Sequence, residues 1–136
     1  MKRLLTTLLL CNALASTPLL ASGGGGSAGT SPYLALEPAI VVNLNTAGKV
    51  RFMQVRVQAM SRDPAVLAAL QTHTGPVRHA LITLLSAQTV DNMYDVQVRE
   101  QVRQQALEEL RGVLETHAGL KREGLEALYF TDFVIQ

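Results

Sequence analysis

The alternation of apolar and polar residues predicts two strands near the start of the folded region. An apolar run at residues 39–44 follows Pro38 and precedes a turn-forming NTAGK segment, so we expect a strand that is buried on both faces. Residues 50–60 carry an apolar side chain at every second position, which predicts a half-exposed strand. A short connection containing Gly48 favours a hairpin between the two. The inward residues of the second strand are Met53, Val55, Val57 and Ala59.

Two helices are predicted to follow the hairpin. Asp63 is a favourable N-cap and Pro64 suits a first helical turn, so a short helix is expected to run until Gly75. A second helix starts at Pro76, and its apolar residues recur at the spacing of one helix face that covers the sheet. The apolar residues of that face are Val77, Leu81, Leu84 and Leu85.

A third and longer helix is predicted from an N-cap at Asp95 to about Ala118. Gly119 stands where a left-handed residue commonly ends a helix. The apolar stripe of this helix consists of Val98, Val102, Ala106, Leu110 and Val113. Its solvent side carries Arg99, Glu100, Arg103, Gln104, Glu108 and Arg111.

The chain finishes on an apolar segment, residues 126–136, that is predicted to be a strand. Simple alternation places Tyr129, Thr131, Phe133 and Ile135 on one face, and Leu128, Phe130, Asp132 and Val134 on the other. Because both faces carry apolar residues, we expect the strand beside another strand under the helices, towards the middle of the sheet. Removal of its last nine residues, 128–136, is therefore expected to unfold the domain.

These elements predict one α+β domain in which helices pack on a small antiparallel or mixed sheet. The chain has 136 residues and a formal net charge of +1. Without Lys2 and Arg3 the formal net charge is about −1, and such a near-neutral domain makes a poor nucleic-acid binder.

Three segments are expected along the chain. Residues 1–22 have the order of a secretory signal, which predicts export to the periplasm; an uncleaved membrane anchor and a lipoprotein signal at Cys11 are the alternatives. Residues 23–32 form a Gly/Ser-rich linker, and residues 33–136 form the folded domain. Contact with the membrane is thus expected through the N-terminal segment alone.

The folded region offers little for catalysis or metal binding. Cys11 is the one cysteine and lies in the leader, and no two of the three histidines have the i, i+4 spacing of a helical metal site. Asp132 could be a buried functional carboxylate, but a position at the rim is favoured, and no nucleophile or phosphate-binding motif is present. We therefore expect no enzyme, cofactor or metal site. The candidate protein-contact residues are Arg99, Arg103 and Arg111, and reversing the charge of Arg103 and Arg111 is expected to weaken an assembly without unfolding the monomer.

Several segments together resemble the periplasmic domain of the flagellar basal body protein FliL. The resemblance covers residues 33–136 and is most specific in the closing YFTDFVIQ, where aromatic, threonine and apolar residues end in Gln136. It also rests on PAIVVNL, RFMQVRVQAM and PVRHALITLLSAQT. The long helix departs from the family pattern, because Gln97 replaces an acidic residue and Val98 replaces a glycine.

The resemblance implies a non-enzymatic protein at the inner-membrane flagellar basal body. Its domain would be similar to the stomatin and prohibitin fold, form homo-oligomers around or against the stator proteins of the motor, and support rotation and swimming. The alternative is a periplasmic scaffold of the same fold that does not serve the motor, to which the altered leader and the Val98 departure point.

Overall fold

The computed structural model describes residues 31–44, 46 and 48–136. The predictions for the leader and for linker residues 23–30 therefore lie outside the described residues. The elements in chain order are β1 (Tyr33–Ala35), β2 (Ile40–Leu44), β3 (Arg51–Met60), α1 (Pro64–Thr72), α2 (Thr74–Ser86), α3 (Val90–Tyr94), α4 (Val96–Ala118), a 3-10 turn (Arg122–Gly124) and β4 (Ala127–Ile135). None of the helices in this part of the chain combines the length and apolar character needed to cross a bilayer.

Strand β3 is the centre of a four-stranded sheet in which every pairing is antiparallel. β1 pairs with the end of β3 and β2 with its start, while β4 runs along almost its full length. Since a strand has two edges, β1 and β2 share one edge of β3 and β4 takes the other. The α+β class and the β2–β3 hairpin are confirmed. The expectation of a central β4 is wrong, because β4 pairs with β3 alone among the described strands.

The helices cover one face of the sheet and leave the other to solvent. α2 packs against β2 and α4 packs against β4, and α2 and α4 also contact one another. On the covered face, Met53, Val55, Val57 and Ala59 of β3 are all buried, as predicted. Strand β2 was expected to be buried on both faces, and this is wrong: Val41 and Asn43 are exposed because no described element packs on that side.

Helix α4 forms the middle of the helical layer. The Asp95 side chain accepts hydrogen bonds from the backbone N–H groups of Gln97 and Val98, and Gly119 ends the helix with a φ of 63°. Both ends are as predicted. The buried residues are Val102, Ala106, Leu107, Leu110 and Leu114, so the buried face is wider than the predicted stripe and includes two leucines outside it.

A β-bulge in β4 changes which residues point inward. Arg56 pairs with Asp132 but Val57 pairs with Phe130, so Thr131 is an extra residue in β4. The alternation reverses at that residue, and the predicted division of β4 into two faces is wrong. Inward residues on both sides of the bulge pack on the core: Leu128, Phe130, Phe133 and Ile135.

Candidate protein-contact surface

The guanidinium of Arg99 is held at the start of α4. Its Nη1 donates a 3.1 Å hydrogen bond to the carbonyl oxygen of Met93, in α3. The same guanidinium lies over the ring of Phe133 in β4, 5.1 Å from the ring centre, within the range of a cation–π contact. Arg99 therefore links three elements of its own chain.

Arg103 joins α4 to β4. Its Nη1 donates to the carbonyl oxygen of Leu128 at 2.7 Å, and its Nε donates to the carboxylate of Glu100 at 2.7 Å. The hydrogen bond from Arg103, with a second from the side chain of Gln104, lowers the pKa of Glu100 from 4.5 to about 2. The pKa of Arg103 is raised in turn by the bond to Glu100. The side chain of Arg103 is mostly buried, with 20% of its surface exposed.

Arg111 makes a similar link further along α4. Its Nε donates to the carbonyl oxygen of Leu125 at 2.9 Å, and its Nη1 donates to Glu108 at 2.6 Å. Glu108 also receives a 3.0 Å hydrogen bond from Arg122, which in turn bonds Glu115 at 3.1 Å. These arginines, Arg122 first, lower the pKa of the Glu108 carboxyl. The cluster fastens the segment after α4 onto the helix.

The three arginines predicted as protein contacts thus bond within the fold. Each donates to a backbone carbonyl, and two of them also pair with a glutamate of the same helix. Arg99 and Arg103 line one groove, whereas Arg111 lies two turns beyond Arg103 and outside it. Their contact with a second protein stays a prediction, and reversing their charge is now expected to cost stability as well.

The groove between α4 and β4 has a volume of about 620 Å³. Its walls combine charged groups with apolar ones, since Arg99 and Arg103 face Tyr129 and Phe130 of the strand. Val96, at the start of the helix, also lines it and is 62% exposed. An open groove of mixed character suits a segment of another protein better than a small apolar ligand.

The uncovered face of the sheet carries apolar side chains at both of its ends. At one end the rings of Tyr33 and Tyr129 lie 6.4 Å apart between centres. At the other, Val41 and Val134 flank Gln54 on neighbouring strands, next to Phe52. Val41 is 58% exposed and Phe52 is 51% exposed. We call these five residues, Tyr33, Val41, Phe52, Tyr129 and Val134, the outer-face patch.

Charged residues occupy the middle of the same face. Arg56 lies between two carboxylates, 3.6 Å from Glu37 and 3.8 Å from Asp132. The side chain of Asp132 is 50% exposed and lies on the edge strand β4, so it is not a buried carboxylate. Such exposed ion pairs contribute little to stability. Their charges lie between two apolar regions, where they can set the orientation of a bound partner. Sequence reasoning missed this face because the bulge at Thr131 determines that Val134 and Tyr129 share it.

The described residues hold no group of three or more His, Cys, Asp or Glu side chains placed to bind a metal ion. His79 lies in α2, apart from the other two histidines. The rings of His73 and His117, which come from distant parts of the chain, are in contact, with 5.8 Å between their centres.

The fold and its surfaces define a small α+β domain with a one-sided sheet and a mixed apolar and charged outer face. The family described as flagellar basal body-associated protein FliL matches residues 33–136, and the chain belongs to this family. A flagellar protein FliL from Aquifex aeolicus (strain VF5) is 26% identical over 101 residues. The match covers 74% of this chain and 59% of that relative, so the chain spans less than two thirds of the relative's length.

Proposed function

We propose that this protein is a non-enzymatic accessory of the flagellar basal body that acts by protein contacts in the periplasm. In this proposal its domain, of a stomatin or prohibitin-like kind, forms homo-oligomers and contacts the stator proteins, and so supports rotation and swimming. An N-terminal segment, 1–22, delivers it to the inner membrane as a signal or anchor. Family membership supports the location at the basal body.

The observation that carries the proposal is the outer-face patch. Five large apolar side chains lie on a face that no element of the described chain covers, and all are at least 39% exposed. Exposed apolar residues gathered on one face, with charged groups between them, are typical of a protein interaction site. Apolar residues scattered singly over a surface are common in proteins and would not indicate an interaction site.

The face is also suited to specific recognition. Arg56 and its two carboxylates lie between the apolar ends, so a partner must match a charge pattern as well as a shape. The bulge in β4 increases the local twist and interrupts regular pairing, which disfavours simple edge-to-edge aggregation. A defined partner surface fits these features.

A deletion strain tests the proposed role. Loss of the gene is expected to reduce swimming in soft agar and to lower the number of stator units at each motor, counted by single-molecule fluorescence. Expression of the full chain should restore both. Normal swimming and normal stator numbers in the deletion strain would contradict the proposal and favour a scaffold of the same fold that does not serve the motor.

A further inference from the structure

We infer that His73 and His117 together bind one transition-metal dication of the zinc or copper type. The two residues are 44 positions apart, and the fold brings their rings to 5.8 Å between centres, tilted by 37°. His73 lies at the junction of α1 and α2, and His117 lies in the last turn of α4. The site would therefore fasten the helical layer at one end.

The distance between the rings suits a shared ion. Zn–N bonds of about 2.0–2.1 Å place the ring centres of two imidazoles on one tetrahedral ion about 5 Å apart. The observed separation of 5.8 Å exceeds this by less than about 1 Å, which small side-chain rotations remove. Imidazole nitrogen is a preferred ligand for zinc, copper and nickel.

Both imidazoles have nitrogens available for a ligand. Among the described residues, no ring nitrogen is buried without a hydrogen-bond partner. His117 is exposed and His73 is half-buried, so an ion can reach both from solvent. Since no third His, Cys, Asp or Glu completes a cluster among the described residues, water would fill the remaining positions of the ion.

The helix ends shape the electrostatics of the site. His73 caps the C-terminus of α1 and His117 lies in the last turn of α4, and helix C-termini carry partial negative charge that favours a cation. The N-terminus of α2 begins at the next residue, Thr74, and offsets part of this field. The last turn of α4 has no helix N-terminus at the following residue, since Gly119 ends it in a left-handed conformation.

The test is a titration of the full, untagged chain with ZnCl2 by isothermal calorimetry, in a buffer that does not bind zinc. Every sample carries Cys11→Ser, since a leader thiol would bind zinc on its own. We expect one zinc per chain. His73→Ala and His117→Ala should each weaken binding by at least about tenfold, because loss of even an outer hydrogen-bond partner of a ligand costs about 10- to 100-fold.

His79→Ala is the matched control, since this exposed histidine lies in α2 away from the pair, and it should leave the affinity unchanged. His117→Gln, checked by circular dichroism, guards against loss of fold and should behave like His117→Ala. The proposed site would be overturned if His73→Ala and His117→Ala both left the zinc affinity unchanged, or if His79→Ala lost as much affinity as they did. It would also be overturned if zinc bound only as chains dimerised, as seen by light scattering.

Discussion

Arg103 of α4 donates a 2.7 Å hydrogen bond from Nη1 to the carbonyl oxygen of Leu128 in β4. The bond connects the longest helix to the C-terminal strand across 25 positions of sequence. With Arg111 bonded to the Leu125 carbonyl, two arginines on one side of α4 fix the path of the chain into β4. These side chains, which the sequence presents as a charged solvent face, therefore also stabilise the tertiary structure.

Replacement of Arg103 by Gln should lower the free energy of unfolding by about 1.5–3 kcal/mol, the usual contribution of a hydrogen bond that involves a charged group. Urea unfolding followed by circular dichroism measures the change. Gln105→Glu is the control, because Gln105 is an exposed residue of the same helix, and it should stay within about 0.5 kcal/mol of the parent. An Arg103→Gln variant as stable as the parent would show that the bond to Leu128 contributes nothing.

Removal of residues 128–136 should abolish cooperative unfolding. The deletion takes away nearly all of β4 and with it the inward side chains Leu128, Phe130, Phe133 and Ile135, three of which lie directly beside Met53, Val55 and Val57 of the central strand. Exposing that apolar surface to water costs more free energy than the net free energy of unfolding of a small domain. Thermal unfolding by circular dichroism is the measurement. The point variant Gln136→Ala is the control, because it keeps the backbone hydrogen bonds to Phe52, and it should melt like the parent. A truncated chain that melted like the parent would refute the role of β4.

The N-cap of α4 offers a local test. The carboxylate of Asp95 accepts hydrogen bonds from the N–H groups of Gln97 at 2.8 Å and Val98 at 3.1 Å. Asp95→Ala should cost about 0.5–2 kcal/mol in unfolding free energy, and Asp95→Asn, which keeps an oxygen acceptor, should cost less. Equal losses in the two variants, measured by urea unfolding, would mean that the cap bonds are not the cause.

The pKa of Glu100 predicts how acid affects α4. Arg103 and then Gln104 lower this pKa to about 2 in the folded protein, from 4.5. The bonded carboxylate thus adds stability above pH 4.5, and that contribution is lost as the pH falls from 4.5 through 2. Glu100→Gln should make stability less dependent on pH in this window, and NMR titration of the carboxyl carbon reports the pKa directly. A titration midpoint near 4.5 would contradict the bonded geometry.

The sequence predicts most of the fold because its main elements are long and regular. The period-two pattern in residues 50–60 and the cap signals at Asp95 and Gly119 each depend on local chemistry, and each is found in the structure. Short elements such as β1 and α3 were missed, since three to five residues hold too little periodicity to detect.

The contact surface was less predictable. Its position depends on which side of the sheet the helices cover and on the bulge at Thr131, and both are set by pairing between distant residues. One local signal was present, because Phe130 and Phe133 are three residues apart. In a regular strand two residues at this spacing lie on opposite faces, and they share a face only if a bulge adds one residue between them. The contact of His73 with His117 had no such signal, because α2, α3 and most of α4 lie between the two residues in the sequence.

The central claim, that the outer-face patch attaches this FliL family member at the basal body, is tested most directly by a triple variant. Val41→Thr, Phe52→Thr and Val134→Thr keep β-branched or strand-compatible side chains on exposed positions, so the domain should fold with little change in Tm. The control is Ile82→Thr, which alters an exposed apolar residue of α2.

The measurement is the fraction of flagellar bases that carry a fluorescent focus of the tagged chain in cells lacking the parent gene. The triple variant is expected to lose its foci while Ile82→Thr keeps them, with equal amounts of both proteins in the cells. Foci of normal number and brightness in the triple variant would contradict it.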